Sequence, residues 1–181
     1  MRPMGRKYLL TAMLGVAAGL GAVAQAQEPV SALKGHNSDA PVDVAADRIE
    51  VQDRADRAIF AGNVHVKQEE LTLDTERLTV AYSSQGNVQI RRLDAAGGVV
   101  VRSPSETARG EFGIYDLDRR LITLIGNVQL IRGDSQVSGN RLVIDLDSGR
   151  AVVDGGPAGV GQSGGRVTGH FTVPQRSTRG S

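Results

Sequence analysis

Between positions 42 and 154 apolar and polar residues alternate over short windows, and Pro104 is the only proline in that span. A period of two places successive side chains on opposite faces of a strand, and no window of twelve or more residues repeats with the 3.6 period of a helix. Read by parity, Val42 and Val44 share a face, as do Phe60, Val64 and Val66, then Leu78, Val80 and Tyr82, then Leu93, Ala95, Val99 and Val101. Ile122, Leu124, Val128 and Leu130 follow, then Leu142, Ile144 and Leu146, while Asn63, His65, Asn127, Gln129, Arg141 and Asp145 fall between them. One face is therefore dry and the other wet, the pattern of antiparallel strands covered on one side. Clusters of Gly, Asn, Asp and Ser at 52–56, 67–70, 83–87, 103–107, 132–136 and 147–149 supply the turns. The expected fold is all-β.

An internal repeat narrows this. Windows 60–66, 95–101 and 124–130 share the pattern apolar-x-Gly-(Asn/Gly)-Val-x-(Val/Leu), with Gly62, Gly97 and Gly126 in equivalent places. The first and third run on in step, so that Arg77-Leu78-Thr79-Val80 answers to Arg141-Leu142-Val143-Ile144. A further Gly-Asn-Val at Gly86 lacks the preceding apolar residue and reads as a hairpin turn. Glycine on the dry face of a strand packs nothing and weakens the strand. Three in register point to a bulge, or to another group approaching closely.

The first 26 residues read as an export signal and not as structure. Arg2, Arg6 and Lys7 precede an uncharged apolar run at 8–23, and Ala24-Gln25-Ala26 is a small-x-small cleavage site, with the cut expected between Ala26 and Gln27. Without this leader the 21 Lys and Arg fall to 18 against 20 Asp and Glu, a net charge of about −2. Such a chain has no excess of positive charge for phosphates, so nucleic acid is not an expected partner. The sequence contains no cysteine, so it can carry neither a lipobox anchor nor a disulfide. The expected organisation is a signal peptide at 1–26, a flexible segment at 27–40 with little to bury, one β-domain at 41–174 and a flexible basic tail at 175–181. Val167, Gly169, Phe171 and Val173 alternate before Pro174 and read as a last, edge strand.

Catalytic chemistry is sparse. His36, His65 and His170 make no pair at metal-ligand spacing, and no phosphate loop or dinucleotide fingerprint is present. Gly161-Gln162-Ser163-Gly164-Gly165 has the form of a nucleophile elbow, but no helix and no acid follow it. The pairs Asp116/Asp118 and Asp145/Asp147 place two carboxylates on one strand face, and read as solvated strand ends running into turns. No catalytic residue, metal or cofactor is expected, and the chain is not read as an enzyme. After removal of the leader the aromatics are Phe60, Tyr82, Phe112, Tyr115 and Phe171, without tryptophan. The dry wall is therefore mostly Val, Leu, Ile and Ala, which suits flexible hydrocarbon better than a rigid ring.

Pro41-Val42-Asp43-Val44, Phe60-Ala61-Gly62-Asn63-Val64, the run from Leu121-Ile122-Thr123-Leu124 to Ile125-Gly126-Asn127-Val128, Ser138-Gly139-Asn140-Arg141-Leu142 and the 166–174 stretch follow the signal in that order. Together they resemble the OstA-like family, the LptA type of periplasmic lipopolysaccharide-transport protein, over 41–174. Gly98 in place of Asn and the glycine-rich 156–165 loop depart from the pattern. The resemblance implies an open V-shaped β-jellyroll of antiparallel strands with exposed edge strands, located in the periplasm. It implies an apolar groove for lipid A acyl chains, lined by Val42 and Val44 at the entrance and by Phe60, Val64, Val66, Leu78, Val80, Val99, Val101, Leu124, Val128, Leu130, Leu142 and Ile144, with Tyr115 and Leu117 near the rim. It also implies head-to-tail assembly through edge strands carrying Val42, Val44, Val167, Phe171 and Val173. The partners implied are further copies of the chain, an inner-membrane-anchored jellyroll homologue of an ABC transporter complex, and the N-terminal domain of an outer-membrane translocon.

Other readings fit parts of the pattern. A generic periplasmic β-sandwich would turn the same dry faces on each other. A membrane-anchored jellyroll of the same system would keep residues 8–23 as an anchor, whereas Ala24-Gln25-Ala26 argues for a freed N-terminus. A translocon N-terminal domain would be followed by a long barrel sequence. An exported enzyme would need a titratable cluster, for which His65, Ser163 and Asp145 are the candidates.

Overall fold

A computed structural model describes Leu33 and residues 36–84, 88–156 and 165–172. The strands are β1 (Asp43–Ala45), β2 (Arg48–Gln52), β3 (Arg57–Gln68), β4 (Leu71–Ser83), β5 (Gln89–Arg102), β6 (Thr107–Asp116), β7 (Leu121–Arg132), β8 (Ser135–Asp145), β9 (Arg150–Asp154) and β10 (Thr168–His170), with one 3₁₀ turn at Asp53–Ala55. All pair antiparallel in one ten-stranded sheet. From β3 to β8 it is a meander, each strand bonded to the next. Both edges are divided. β1 and β2 pair with opposite halves of β3, and β9 and β10 with opposite halves of β8. Among the described residues the two edges are not bonded to each other, so the sheet is an open jellyroll and not a closed barrel.

The repeated glycines mark where this sheet creases. Ladder register shifts at 61/64 on β3, 96/99 on β5 and 125/128 on β7, each time across the repeat's Gly-Asn or Gly-Gly pair. Gly62, Gly97 and Gly126 have φ of +78°, +91° and +84°, values that favour glycine, and Asn63 and Asn127 both sit at +45°. The neighbouring strands answer by turning over. Thr75 faces inward but Arg77 outward, Gly110 inward but Phe112 outward, and Gly139 inward but Arg141 outward. Of the two explanations the sequence offered for dry-face glycines, a bulge is the one realised, and close approach accompanies it. A Cβ on Gly62 or Gly126 would lie 2.5 Å from Asp47 Oδ2 or 2.6 Å from Glu111 Oε2 respectively. The adjacent amides of Asn63 and Asn127 donate to those same carboxylates at 2.8 and 2.6 Å.

The crease divides the sheet into two leaves. The first holds 57–61, 77–83, 89–96, 112–116, 121–125 and 141–145 with β2 and β9. The second holds 64–68, 71–75, 99–102, 107–110, 128–132 and 135–139 with β1 and β10. One hydrogen bond proves that they fold face to face. Tyr115 stands level with Leu93, Val80 and Ala58 across the ladders, ten residues along β3 from Gln68. In a flat sheet that offset alone is about 33 Å. Yet the Tyr115 hydroxyl donates to Gln68 Oε1 at 3.0 Å.

Two expectations about the ends need correction. The sequence predicts little to bury at 27–40, but Leu33 and Ser38 are only 5% and 6% exposed, because the folded leaves form an apolar cluster that Leu33 joins. Alternation predicts a last strand over 167–173, whereas the strand is confined to Thr168–His170. Phe171 turns back over Gly169, where a Cβ would stand 2.6 Å from its ring, and so leaves the ladder. Val173, the cleavage residues Ala26 and Gln27, the Gly86 turn and Ser163 lie outside the described residues.

Candidate functional site

The dry faces of both leaves form one apolar interior. Leu78, Val99, Leu124, Leu142 and Ile144 are fully buried, and Val64, Val66, Val80, Val101, Tyr115 and Val128 nearly so. Val42, Val44, Phe60, Leu117 and Leu130 are partly buried against them. The side chains that alternation places on the dry face are thus brought together in a single cluster. Gly113 supplies the close approach at its centre, since a Cβ there would stand 3.0 Å from Val99 and 3.1 Å from Leu124.

Parity alone does not find the whole wall. Leu71 and Leu73 line the interior, but they have odd numbers whereas Leu78 and Val80 on the same strand have even ones. The turnover between Thr75 and Arg77 reconciles the two series. The bulges on its two neighbours, β3 and β5, signal it.

At the open lips of the leaves the interior holds about 20 Å³, lined by Val42, Val66, Leu71, Leu93, Tyr115 and Ile122 among others. That is room for about one water molecule. Gln68 is the buried polar group here, 2% exposed. Its Nε2 donates to the carbonyls of Ser38 and Ala40 at 3.0 and 2.9 Å, while its Oε1 accepts from Tyr115 and pairs with His36 Nε2 at 3.0 Å. Burial pushes the Tyr115 phenol above its ordinary value. Ser38 lies beside that phenol without meeting hydrogen-bond geometry, and its hydroxyl has no partner among the described residues. Nothing in the alternation marked Gln68, which continues the dry parity of Val64 and Val66 as a polar residue.

A wetter cleft of about 530 Å³ adjoins the same lips, lined by Ser38, Asp39, Pro41, Val42, Leu117 and Arg120 among others. Val42 borders both spaces.

Among the described residues, those that could act in catalysis are not gathered. His65 is on the outer face, its Nδ1 2.7 Å from Asp74 Oδ1. Burial tends to raise the Asp74 carboxyl, but hydrogen bonds from His65 and Arg102 outweigh it and hold the group below 3.8. Asp145 Oδ1 accepts from the backbone N–H groups of Asp147 and Ser148, both at 3.0 Å. The Ser148 backbone bond leads the causes that lower it. Asp116 accepts from the Arg119 N–H at 2.9 Å. These carboxylates close turns. Among the described residues no three His, Asp or Glu side chains gather as metal ligands would.

Residues 43–150 match the model of the LptA/(LptD N-terminal domain) LPS transport protein family. The chain belongs to this family. It is a family of transport components and not of enzymes. The fold agrees with that of LptH from Pseudomonas aeruginosa, described as the LptA homologous periplasmic component of a lipopolysaccharide transport device. The TM-score is 0.67 over 76% of this chain and 99% of that one, at 18% identity. An uncharacterized protein of Rhizobium meliloti is 34% identical over 161 residues, covering 81% of this chain and 86% of its own.

Proposed function

We propose that the protein carries lipopolysaccharide through the periplasm, holding the lipid A acyl chains between the two leaves while the sugars stay outside. The observation that carries this is the continuous apolar interior of an open, creased sheet. Exposing one acyl chain of about a dozen carbons to water costs on the order of 10 kcal/mol, at ~0.8 kcal/mol per methylene. An apolar channel between membranes removes that barrier without chemistry. Because the lips enclose so little free space, loading requires the leaves to part about their crease. Hinge-like opening along the bulges needs no strand to leave its neighbour in the ladder.

The split edges suit head-to-tail docking by β-augmentation. On the β2 edge Ile49 and Val51 stand opposite the dry-face residues Phe60 and Ala58, and both are 57% exposed. They extend the apolar surface to where a second domain would add its strand. The β9/β10 edge is the complement, with Val167 and Phe171 exposed beside it. On this reading copies of the chain bridge an inner-membrane-anchored jellyroll homologue, attached to an ABC transporter, and the N-terminal domain of an outer-membrane translocon. The chain has no nucleotide motif of its own, so direction comes from the ATP-hydrolysing partner.

The test is photo-crosslinking in cells with the probe at Phe60 or Val99 and an outward control at Gln129. Lipopolysaccharide adducts at the dry positions only are expected. A stable exported protein with no adduct at any position would return the interior to an ordinary sandwich core.

A further inference from the structure

The segment leading into β1 touches the lips of both leaves. On the second leaf, Gln68 holds the carbonyls of Ser38 and Ala40, and Asn37 Nδ2 reaches Glu69 Oε1 at 3.4 Å. On the first leaf, Arg120 in the β6–β7 turn reaches Asp39 Oδ2 at 3.4 Å while its other nitrogen binds Asp147 at 3.0 Å. Tyr115 of the first leaf and His36 of the segment meet at the same Gln68 oxygen. Leu33 is buried in the apolar cluster, and Pro41-Val42 stands between the dry cavity and the wet cleft. Contacts from one short segment to both lips can only be kept while the lips are together.

From this we infer that residues 36–42, with Leu33, are a clasp that holds the leaves closed over the interior and is displaced when an acyl chain enters. The inference rests on the carrier reading above and specifies its gate. Gln68 is the latch. A glutamine amide offers two donors and an oxygen that accepts twice, and here all four are engaged, three by the segment and one by the opposite leaf. Separation of the leaves breaks the Tyr115 bond, and displacement of the segment breaks the other three. The seat is nevertheless imperfect. The buried Ser38 hydroxyl has no hydrogen-bond partner among the described residues, and release into water satisfies it. Leu33 occupies apolar space, so an entering hydrocarbon chain exchanges like for like. The arms to Glu69 and Arg120 are long, exposed contacts that contribute little. Closure is thus defined in geometry by the latch without being deep in energy.

The chain has no cysteine of its own, so the pair Asn37→Cys and Arg119→Cys, both at exposed positions, can be spin-labelled in the exported protein. Purified lipopolysaccharide is then titrated in while the label separation is followed by pulsed electron resonance. Separation should lengthen as lipid binds. Joining the same two cysteines with a short bis-maleimide spacer should weaken lipopolysaccharide binding at least about tenfold, and Gln68→Leu should strengthen it by about the same factor, as expected when a closed state dominates the free protein. Equal binding by locked and unlocked protein, with an unchanged label distance, overturns the clasp and leaves the carrier reading intact. Failure of every form to bind lipopolysaccharide overturns the carrier reading and the clasp with it.

Discussion

Replacing Gly126 by alanine should destabilise the crease by about 1.5–3.5 kcal/mol. Two contributions add. At φ +84° an L-residue loses about 1–2 kcal/mol relative to glycine. The new Cβ would also stand 2.6 Å from Glu111 Oε2 and 2.9 Å from Glu111 Cβ. Swinging the carboxylate away relieves only the first contact, and it breaks the 2.6 Å bond from Asn127 Nδ2, for a further ~0.5–1.5 kcal/mol. For a domain of this size each kcal/mol lowers Tm by about 2–6 °C, so a fall of about 3–21 °C is expected in thermal unfolding followed by circular dichroism. Gly133→Ala is the control. Its φ of +54° is also left-handed, but an added Cβ meets nothing within 4 Å, so only the ~1–2 kcal/mol backbone cost applies. The steric coupling is tested by adding Asn127→Ala. It should cost its full amount alone and almost nothing on top of Gly126→Ala, whose side chain has already displaced Glu111. Equal losses for Gly126→Ala and Gly133→Ala, or strict additivity with Asn127→Ala, would refute the picture of a carboxylate-capped bulge.

Leu124 is fully buried, so Leu124→Ala should cost about 2.7–5 kcal/mol in denaturant unfolding, and a loss under 1 kcal/mol would show the interior to be loosely packed. The lowered carboxyl of Asp74 contributes stability that is present above 3.8 and is lost as pH falls through its folded value. Acid unfolding of Asp74→Asn should therefore begin from lower stability at neutral pH and show a shallower acid limb, and identical limbs would mean that His65 and Arg102 do not stabilise the ionised form. Phe171 is 66% exposed beside the β10 edge, so Phe171→Glu should reduce head-to-tail oligomers in light scattering without lowering Tm, whereas unchanged oligomers would remove this edge from the docking surface.

Sequence alternation by itself determined that Val64, Val99, Leu124, Val128, Leu142 and Ile144 share a dry side, because side-chain direction in a strand depends only on position along it. The Gly-x-Val repeat likewise located the irregularities, since a missing side chain at a regular interval is written in the residues themselves. Tertiary structure decided the rest. Whether Gly62, Gly97 and Gly126 admit a bulge or a neighbouring group depends on which strands lie beside them, and pairing of 61/64 against 75/77 is not a local property. Leu71 and Leu73 escaped notice because β4 turns over at that bulge and exchanges its parity there. The clasp could not be read at all. Gln68, Tyr115, Ser38 and Leu33 are distant in sequence, and each is unremarkable until folding at the crease brings the lips of the two leaves together and leaves a buried amide to be satisfied by whatever chain passes across them.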